Sequence, residues 1–77
     1  MDMPGDIMAG LTKIELLGAR EIYIENHQGL LEYGLREIHI NCGDMSVKFT
    51  GEGFVIRTMT ARELRVEGLL FNMEFIF

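Results

Sequence analysis

The sequence of 77 residues has no Trp, one Pro and one Cys. The lone Cys42 excludes an intramolecular disulfide, so a domain of this size must depend on its apolar core. Twelve acidic residues outnumber seven basic ones, which gives a formal net charge of −5. Nucleic acids and anionic membranes are bound by clustered Lys and Arg. We therefore expect no nucleic-acid partner.

The chain also lacks a long apolar run. Its longest uncharged apolar runs, such as residues 69–71, are far shorter than the ~20 residues of a membrane-spanning helix. Near the N-terminus, Asp2 and Asp6 stand where a secretory signal would carry positive charge. These absences predict a cytoplasmic protein with no transmembrane segment.

What the chain does have is alternation of apolar and polar residues from Lys13 onward. In residues 21–25, Ile22 and Ile24 share one phase and two glutamates the other, as in a half-buried strand. Turn-forming clusters separate such runs at residues 26–29, 41–44 and 50–53. The pattern predicts one all-β domain of seven or eight short strands over residues 13–77. The N-terminal segment, residues 1–12, is expected to be a short helix or disordered.

Three similar segments occur at residues 20–25, 36–41 and 62–67, and each begins with an Arg-Glu pair. We call this internal repeat the sequence echo. Each copy precedes a Gly-containing turn and a second alternating run that ends in an aromatic residue. Repeats of short strands are typical of stacked coils, so the echo predicts a β-solenoid or β-roll. An antiparallel meander sandwich is the alternative fold, because the spacing between the copies is unequal.

Few side chains offer chemistry. A small ligand-binding or metal-binding module can be drawn around His27, His39 and Cys42, with a carboxylate as a fourth ligand. The spacing of these three residues matches no established metal motif, and Asp44 beside Cys42 disfavours a reactive thiolate. The glutamates fall on the outward phase of their strands, and no acid–base pair is distinguished. We expect no catalytic residue, no bound metal and no cofactor.

The last strand is unusually apolar, and four of its side chains share one phase: Phe71, Met73, Phe75 and Phe77. Such a strand either closes the core or forms an edge that pairs with another copy. Small domains often need a partner to complete their core, which makes a homo-oligomer possible.

The run Glu25-Asn26-His27-Gln28-Gly29, within residues 22–33, resembles the signature of the YabP/YqfC family of sporulation proteins. Similar elements lie before and after this run, in the family's order, over residues 13–75. These elements are Leu17-Gly18, residues 51–56, residues 63–68 and Met73-Glu74-Phe75. One departure is Thr12, where the family commonly has a proline. The resemblance implies a role in endospore formation, in the mother cell or at the forespore surface, with no known catalytic activity and no cofactor.

We therefore expect a non-enzymatic sporulation protein that acts by assembly or scaffolding, through strand edges, on itself or on a protein partner. The family motif is expected to shape a turn. Gly29 permits positive φ, while Asn26 and His27 can bond backbone groups that the turn leaves unpaired. A binding role for Glu25, Asn26, His27 and Gly29 is the alternative to this structural role.

Overall fold

The computed structural model describes residues 11–77. The N-terminal segment, residues 1–12, expected to be a short helix or disordered, lies outside the described part except for residues 11 and 12, which belong to no helix or strand. The described residues form six β-strands and no helix, so the all-β prediction is confirmed. The strands are β1 (Lys13–Leu17), β2 (Glu21–Glu25), β3 (Leu30–Tyr33), β4 (Glu37–Asn41), β5 (Ser46–Met59) and β6 (Glu63–Ile76).

All six strands belong to one sheet with the order β1-β2-β6-β5-β4-β3. Every neighbouring pair is antiparallel. The predicted β-solenoid or β-roll is not confirmed. The order also departs from a simple meander, because β6 lies between β2 and β5. A long β5–β6 hairpin thus forms the centre of the sheet, with one short hairpin on each side.

The predicted count of seven or eight strands is not confirmed, because β6 runs unbroken from Glu63 to Ile76 and residues 50–53 do not reverse the chain. β5 continues through them, with shifts of register against β6 on both sides of Glu52. The reason is a close approach of the two strands. A Cβ atom added at Gly51 would overlap the carbonyl oxygen of Leu69, and one at Gly68 would lie 2.8 Å from Phe54 Cδ1. These glycines permit backbone contact.

The core consists of nine buried apolar side chains from β2, β4, β5 and β6, and each contributes about 1.5–3 kcal/mol when fully removed from water. They are Ile22, Ile24, Ile38, Ile40, Val47, Phe49, Phe54, Leu64 and Val66. The described residues provide no second layer to cover this sheet. Burial of the nine side chains therefore requires the sheet to fold over itself near Gly51 and Gly68, so that its two ends enclose one core.

The folded sheet has two similar halves. The first half-sheet contains β1, β2, residues 63–67 of β6 and residues 55–59 of β5. The second half-sheet contains β3, β4, residues 46–50 of β5 and residues 72–76 of β6. The two half-sheets are related by approximate two-fold pseudo-symmetry, in which β5 corresponds to β6 and β2 corresponds to β4.

Backbone hydrogen bonds support this pseudo-symmetry at the bend of the sheet. The N–H of Gly68 donates to the carbonyl of Arg20 over 3.0 Å, and the N–H of Gly51 donates to that of Arg36 over 2.9 Å. Arg20 and Arg36 begin two copies of the sequence echo, immediately before β2 and β4. Two of the three echoed segments thus occupy equivalent positions, which accounts for their similarity.

Side-chain pairs repeat as well, at matching register positions. Glu21 pairs with Arg65 in the first half-sheet, and Glu37 pairs with Lys48 at 2.7 Å in the second. A second contact is also duplicated, with different chemistry. The hydroxyl of Tyr23 donates to Glu63 over 2.5 Å, whereas His39 Nε2 lies 2.8 Å from Ser46 Oγ.

Candidate functional site

The family motif lies at the corner between β2 and β3. Asn26 adopts φ 65° and Gly29 φ 128°, so both occupy the left-handed region that the turn composition favoured. His27 lies between them and is 6% exposed, the only buried polar residue in the range 11–77. The corner is therefore built around an imidazole ring.

Both ring nitrogens of His27 have partners. The N–H of Gly29 donates to Nδ1 over 3.0 Å, which makes Nδ1 an acceptor and leaves the proton on Nε2. Nε2–H then donates to the carbonyl oxygen of Thr60 over 3.2 Å. A metal ion could bind this ring only by replacing one of these bonds. The geometry is that of a structural histidine that connects the corner to the β5–β6 loop.

Backbone hydrogen bonds of the corner also connect it to the β5–β6 loop and to β4. The amides of Asn26 and His27 both donate to the carbonyl of Arg62, over 2.7 and 3.3 Å. On the other side, Gln28 N–H donates to Asn41 over 2.7 Å, and Asn41 N–H donates to Gly29 over 2.8 Å. The motif thus joins the β5–β6 loop of the first half-sheet to β4 of the second.

Glu25, the acidic residue of the motif, ends β2 beside a tyrosine contact. The Tyr23 hydroxyl donates mainly to Glu63 and more weakly to Glu25, over 3.4 Å. The hydrogen bond to Glu63, followed by desolvation and the charges of both glutamates, raises the pKa of Tyr23 to about 12. Tyr23 is therefore a neutral hydrogen-bond donor near pH 7.

The other two residues of the candidate metal module have separate partners. His39 contacts Ser46, and the Cys42 thiol faces the carbonyl of Ile40 over 3.9 Å. Partial burial raises the pKa of the Cys42 thiol, with a smaller opposing effect from a hydrogen bond with Thr12. Residues 11–77 contain no group of three or more His, Cys, Asp or Glu arranged to hold a metal ion. The structure does not bring the three residues together as a ligand set.

The second candidate region is the outer half of β6. β2 pairs with residues 63–67 only, so residues 71–76 have β5 on one side and no paired strand among residues 11–77 on the other. We call this unpaired side the β6 edge. A free edge presents unpaired N–H and C=O groups and is a template for β-strand addition.

The four apolar residues predicted for this strand separate into two groups. Met73 packs partly against the core. The three phenylalanines lie at the surface: Phe71 is 61% exposed, Phe75 46% and Phe77 95%. Phe75 pairs with Val47 and so projects from the core face of the sheet, at its margin. The β6 edge thus combines free backbone groups with exposed aromatic rings.

A further unpaired side, which the sequence pattern did not indicate, lies on residues 55–59 of β5. Here β4 pairs only with residues 46–50, and Val55 and Met59 are exposed. We call this unpaired side the β5 edge. The turn predicted at residues 50–53 separated residues 54–58 from the rest of β5, which hid their equivalence to the outer half of β6. The strand register shows this equivalence: Met59 of β5 pairs with Leu64 of β6, and Phe75 of β6 pairs with Val47 of β5.

Together the fold and these regions define a small all-β domain whose one sheet folds over a single core and leaves strand edges at its surface. Over 76 residues, the chain is 30% identical to the "Uncharacterized protein YqfC" of Bacillus subtilis (strain 168). The match covers 99% of this chain and 82% of that protein. The chain belongs to the family of this YqfC protein.

Two other comparisons gave no relative: no family model matches the chain, and no solved structure matches it. Over the described range, there is also no helix with the length and apolar character needed to cross a membrane.

Proposed function

We propose that the protein is a non-enzymatic component of endospore formation that binds a protein partner through its β6 edge. It acts in the cytoplasm, in the mother cell or at the forespore surface of a sporulating bacterium. The observation that carries the binding part is the β6 edge itself. Apart from Glu74 its residues are uncharged, and it presents two exposed phenylalanines beside free backbone groups. β-Strand addition uses these two components, hydrogen bonds for affinity and side chains for specificity.

Two observations support the sporulation part. The chain belongs to the family of YqfC from a Bacillus species. Its Glu25-Asn26-His27 block also resembles the signature of a sporulation family. The structure gives this block an architectural position, since His27 and its neighbours join both half-sheets. A motif that maintains the fold is compatible with any function at the surface, so the function is sought at the edges.

The proposal that the protein is not an enzyme is supported by the internal hydrogen bonds and burial of its most reactive side chains. His27 uses both ring nitrogens internally, Tyr23 donates to Glu63, and the pKa of Cys42 is raised by burial. General acid–base catalysis requires a titratable group within reach of a substrate, and nucleophilic catalysis requires an activated nucleophile. No observation favours the metal-binding module, and we do not propose it.

The test uses a Bacillus subtilis strain that lacks YqfC and carries this chain in its place. We expect that loss of YqfC lowers the number of heat-resistant spores and that this chain restores it. Phe75→Lys, which adds a charge to the β6 edge, is expected to abolish restoration. Met59→Lys is the matched control, because Met59 is 48% exposed and occupies the equivalent position on β5.

The two parts of the proposal fail separately in this assay. An unchanged number of heat-resistant spores after loss of YqfC contradicts the role in sporulation. Equal restoration by Phe75→Lys and Met59→Lys, with both proteins present at the level of the unsubstituted chain, contradicts the role of the β6 edge.

A further inference from the structure

We propose that the partner of the β6 edge is a second copy of this chain, paired antiparallel with its two-fold axis at Met73. This inference rests on the proposed function, in that the β6 edge is the binding surface in both. The pairing makes the second half-sheets of two molecules one continuous sheet. Its strand order is β3-β4-β5-β6 in one copy, followed by β6-β5-β4-β3 in the other.

The first support is the sequence of the strand, which is nearly palindromic in its chemistry about Met73. Phe71 mirrors Phe75, Asn72 mirrors Glu74, and Leu70 mirrors Ile76. A two-fold axis that passes through a residue places it opposite its own copy, with its neighbours opposite their mirror positions. The strand is therefore complementary to itself in this register.

Charge favours the same register. Glu74 is the only charged residue in positions 69–77. With the axis at Met73, Glu74 lies opposite Asn72 of the partner, whose amide can donate a hydrogen bond to the carboxylate. An axis at Glu74 would place two carboxylates opposite one another, which destabilises a strand pair. The favoured register also brings Phe75 near the partner's Phe71, which lies at the register shift between Leu70 and Asn72.

The pseudo-symmetry provides an internal comparison between the two edges. Residues 46–50 pair with residues 72–76 without interruption, so this part of the β6 edge is regular. The equivalent part of β5, residues 55–59, has a register shift between Ile56 and Thr58. A bulge is one of the features by which proteins protect edges from pairing. Each edge carries one charged residue, Arg57 on β5 and Glu74 on β6, so the bulge makes the difference.

The two-fold contact uses the β6 edge of both copies, so it is complete when two chains have paired. The outer sides of β1 and β3, which end the strand order, and the β5 edge take no part in it. Pairing through the β6 edge therefore gives a closed dimer.

The first experiment measures the molar mass of the purified full chain by sedimentation equilibrium over a range of concentrations. We expect a monomer–dimer equilibrium that Phe75→Lys weakens by at least about tenfold, since a charge at a central interface residue is costly. Met59→Lys is expected to leave it unchanged. A chain that stays monomeric at high micromolar concentration overturns the proposal, as does a dimer that Phe75→Lys does not weaken.

The second experiment tests the register by disulfide cross-linking in a Cys42→Ala background. Met73→Cys is expected to form a covalent dimer on oxidation, because directly opposed residues have Cβ atoms about 4.5–5.5 Å apart. Asn72→Cys alone is not expected to cross-link, whereas its mixture with Glu74→Cys is. Ile56→Cys, at the β5 position equivalent to Met73, is the negative control. A cross-link through Ile56→Cys without one through Met73→Cys overturns the assigned edge.

Failure of this inference is distinguishable from failure of the proposed function. If Phe75→Lys abolishes restoration of spores while the chain is monomeric, the β6 edge binds a different protein and the second copy is excluded. If the dimer forms as described and Phe75→Lys restores spores fully, the dimer stands and the functional role of the edge is excluded.

Discussion

Gly29 donates its backbone N–H to Nδ1 of His27 over 3.0 Å. This bond between residues two positions apart determines which tautomer the ring adopts, and thereby directs the Nε2 proton to Thr60, far along the chain. A local contact within the corner thus fixes a long-range one. The arrangement gives the motif histidine a structural role that can be measured.

His27→Ala is expected to lower the free energy of unfolding by about 2–4 kcal/mol. It leaves a cavity and removes the partners of the Gly29 N–H and the Thr60 carbonyl, each at a cost of about 1–3 kcal/mol where water cannot replace them. Denaturant titration measures the change. His39→Ala is the control and is expected to cost less than about 1 kcal/mol, because His39 is only partly buried and makes one bond to Ser46. Equal losses for the two variants would contradict the assigned role.

Gly51→Ala is expected to destabilise the protein by about 3 kcal/mol, because the new methyl group would overlap the Leu69 carbonyl oxygen, which cannot rotate away as a side chain can. Gly34→Ala is the matched control, since its nearest atom would be 3.8 Å away. We expect a change within about 0.5 kcal/mol for that variant. Thermal unfolding of both proteins makes the comparison. A Gly51→Ala protein as stable as the control would show that the bend tolerates a side chain.

Tyr23 is expected to titrate with a pKa of about 12, well above the ordinary value of 10.0. The raised pKa arises because the neutral phenol donates to Glu63, whereas the phenolate would face its charge. Stability from this bond is therefore present below about pH 10 and is lost as the pH rises through about 12. Near-ultraviolet absorbance of Tyr33→Phe, which leaves Tyr23 as the only tyrosine, measures the ionisation.

Replacement of Glu63 by Gln provides the control for this titration. It removes the carboxylate and is expected to return the Tyr23 pKa toward 10, with folding followed by circular dichroism. A midpoint that is the same with and without Glu63→Gln would exclude the proposed cause.

Cys42 is expected to react slowly with iodoacetamide in the folded protein at neutral pH. Partial burial raises the pKa of its thiol, and the thiolate is the reactive form. In denaturant the rate is expected to rise to that of an ordinary cysteine. Mass spectrometry of samples quenched over time follows the modification. A folded rate equal to the denatured rate would contradict a protected thiol.

Some of the fold could be predicted because it depends on local pattern. Ile22 and Ile24 alternate with polar neighbours, as do Ile38 and Ile40, and β2 and β4 form at these positions with those isoleucines buried. The corner at Asn26 and Gly29 was also predictable, since few residue types tolerate positive φ. These features require no knowledge of distant residues.

The rest depends on partners far along the chain. A glycine cluster such as residues 51–53 has the same composition whether it reverses a strand or lets another backbone approach. Only the presence of Leu69 opposite Gly51 distinguishes the two cases. Similarly, the motif predicted a turn at His27, but its bond to Thr60 depends on how the β5–β6 hairpin lies against the corner.

The position of β6 has a consequence for how the protein is made. The residues that pair with β2 belong to β6, the last of the six strands to be synthesised, although β6 lies at the centre of the sheet. Until it emerges from the ribosome, Ile22 and Ile24 have no core to enter, and an isolated hairpin is only marginally stable. Folding of the sheet is therefore expected to begin only after β6 has emerged and, with such non-local pairing, to take on the order of milliseconds to seconds. In that interval the nascent chain exposes apolar strands, which makes it a natural client for chaperones.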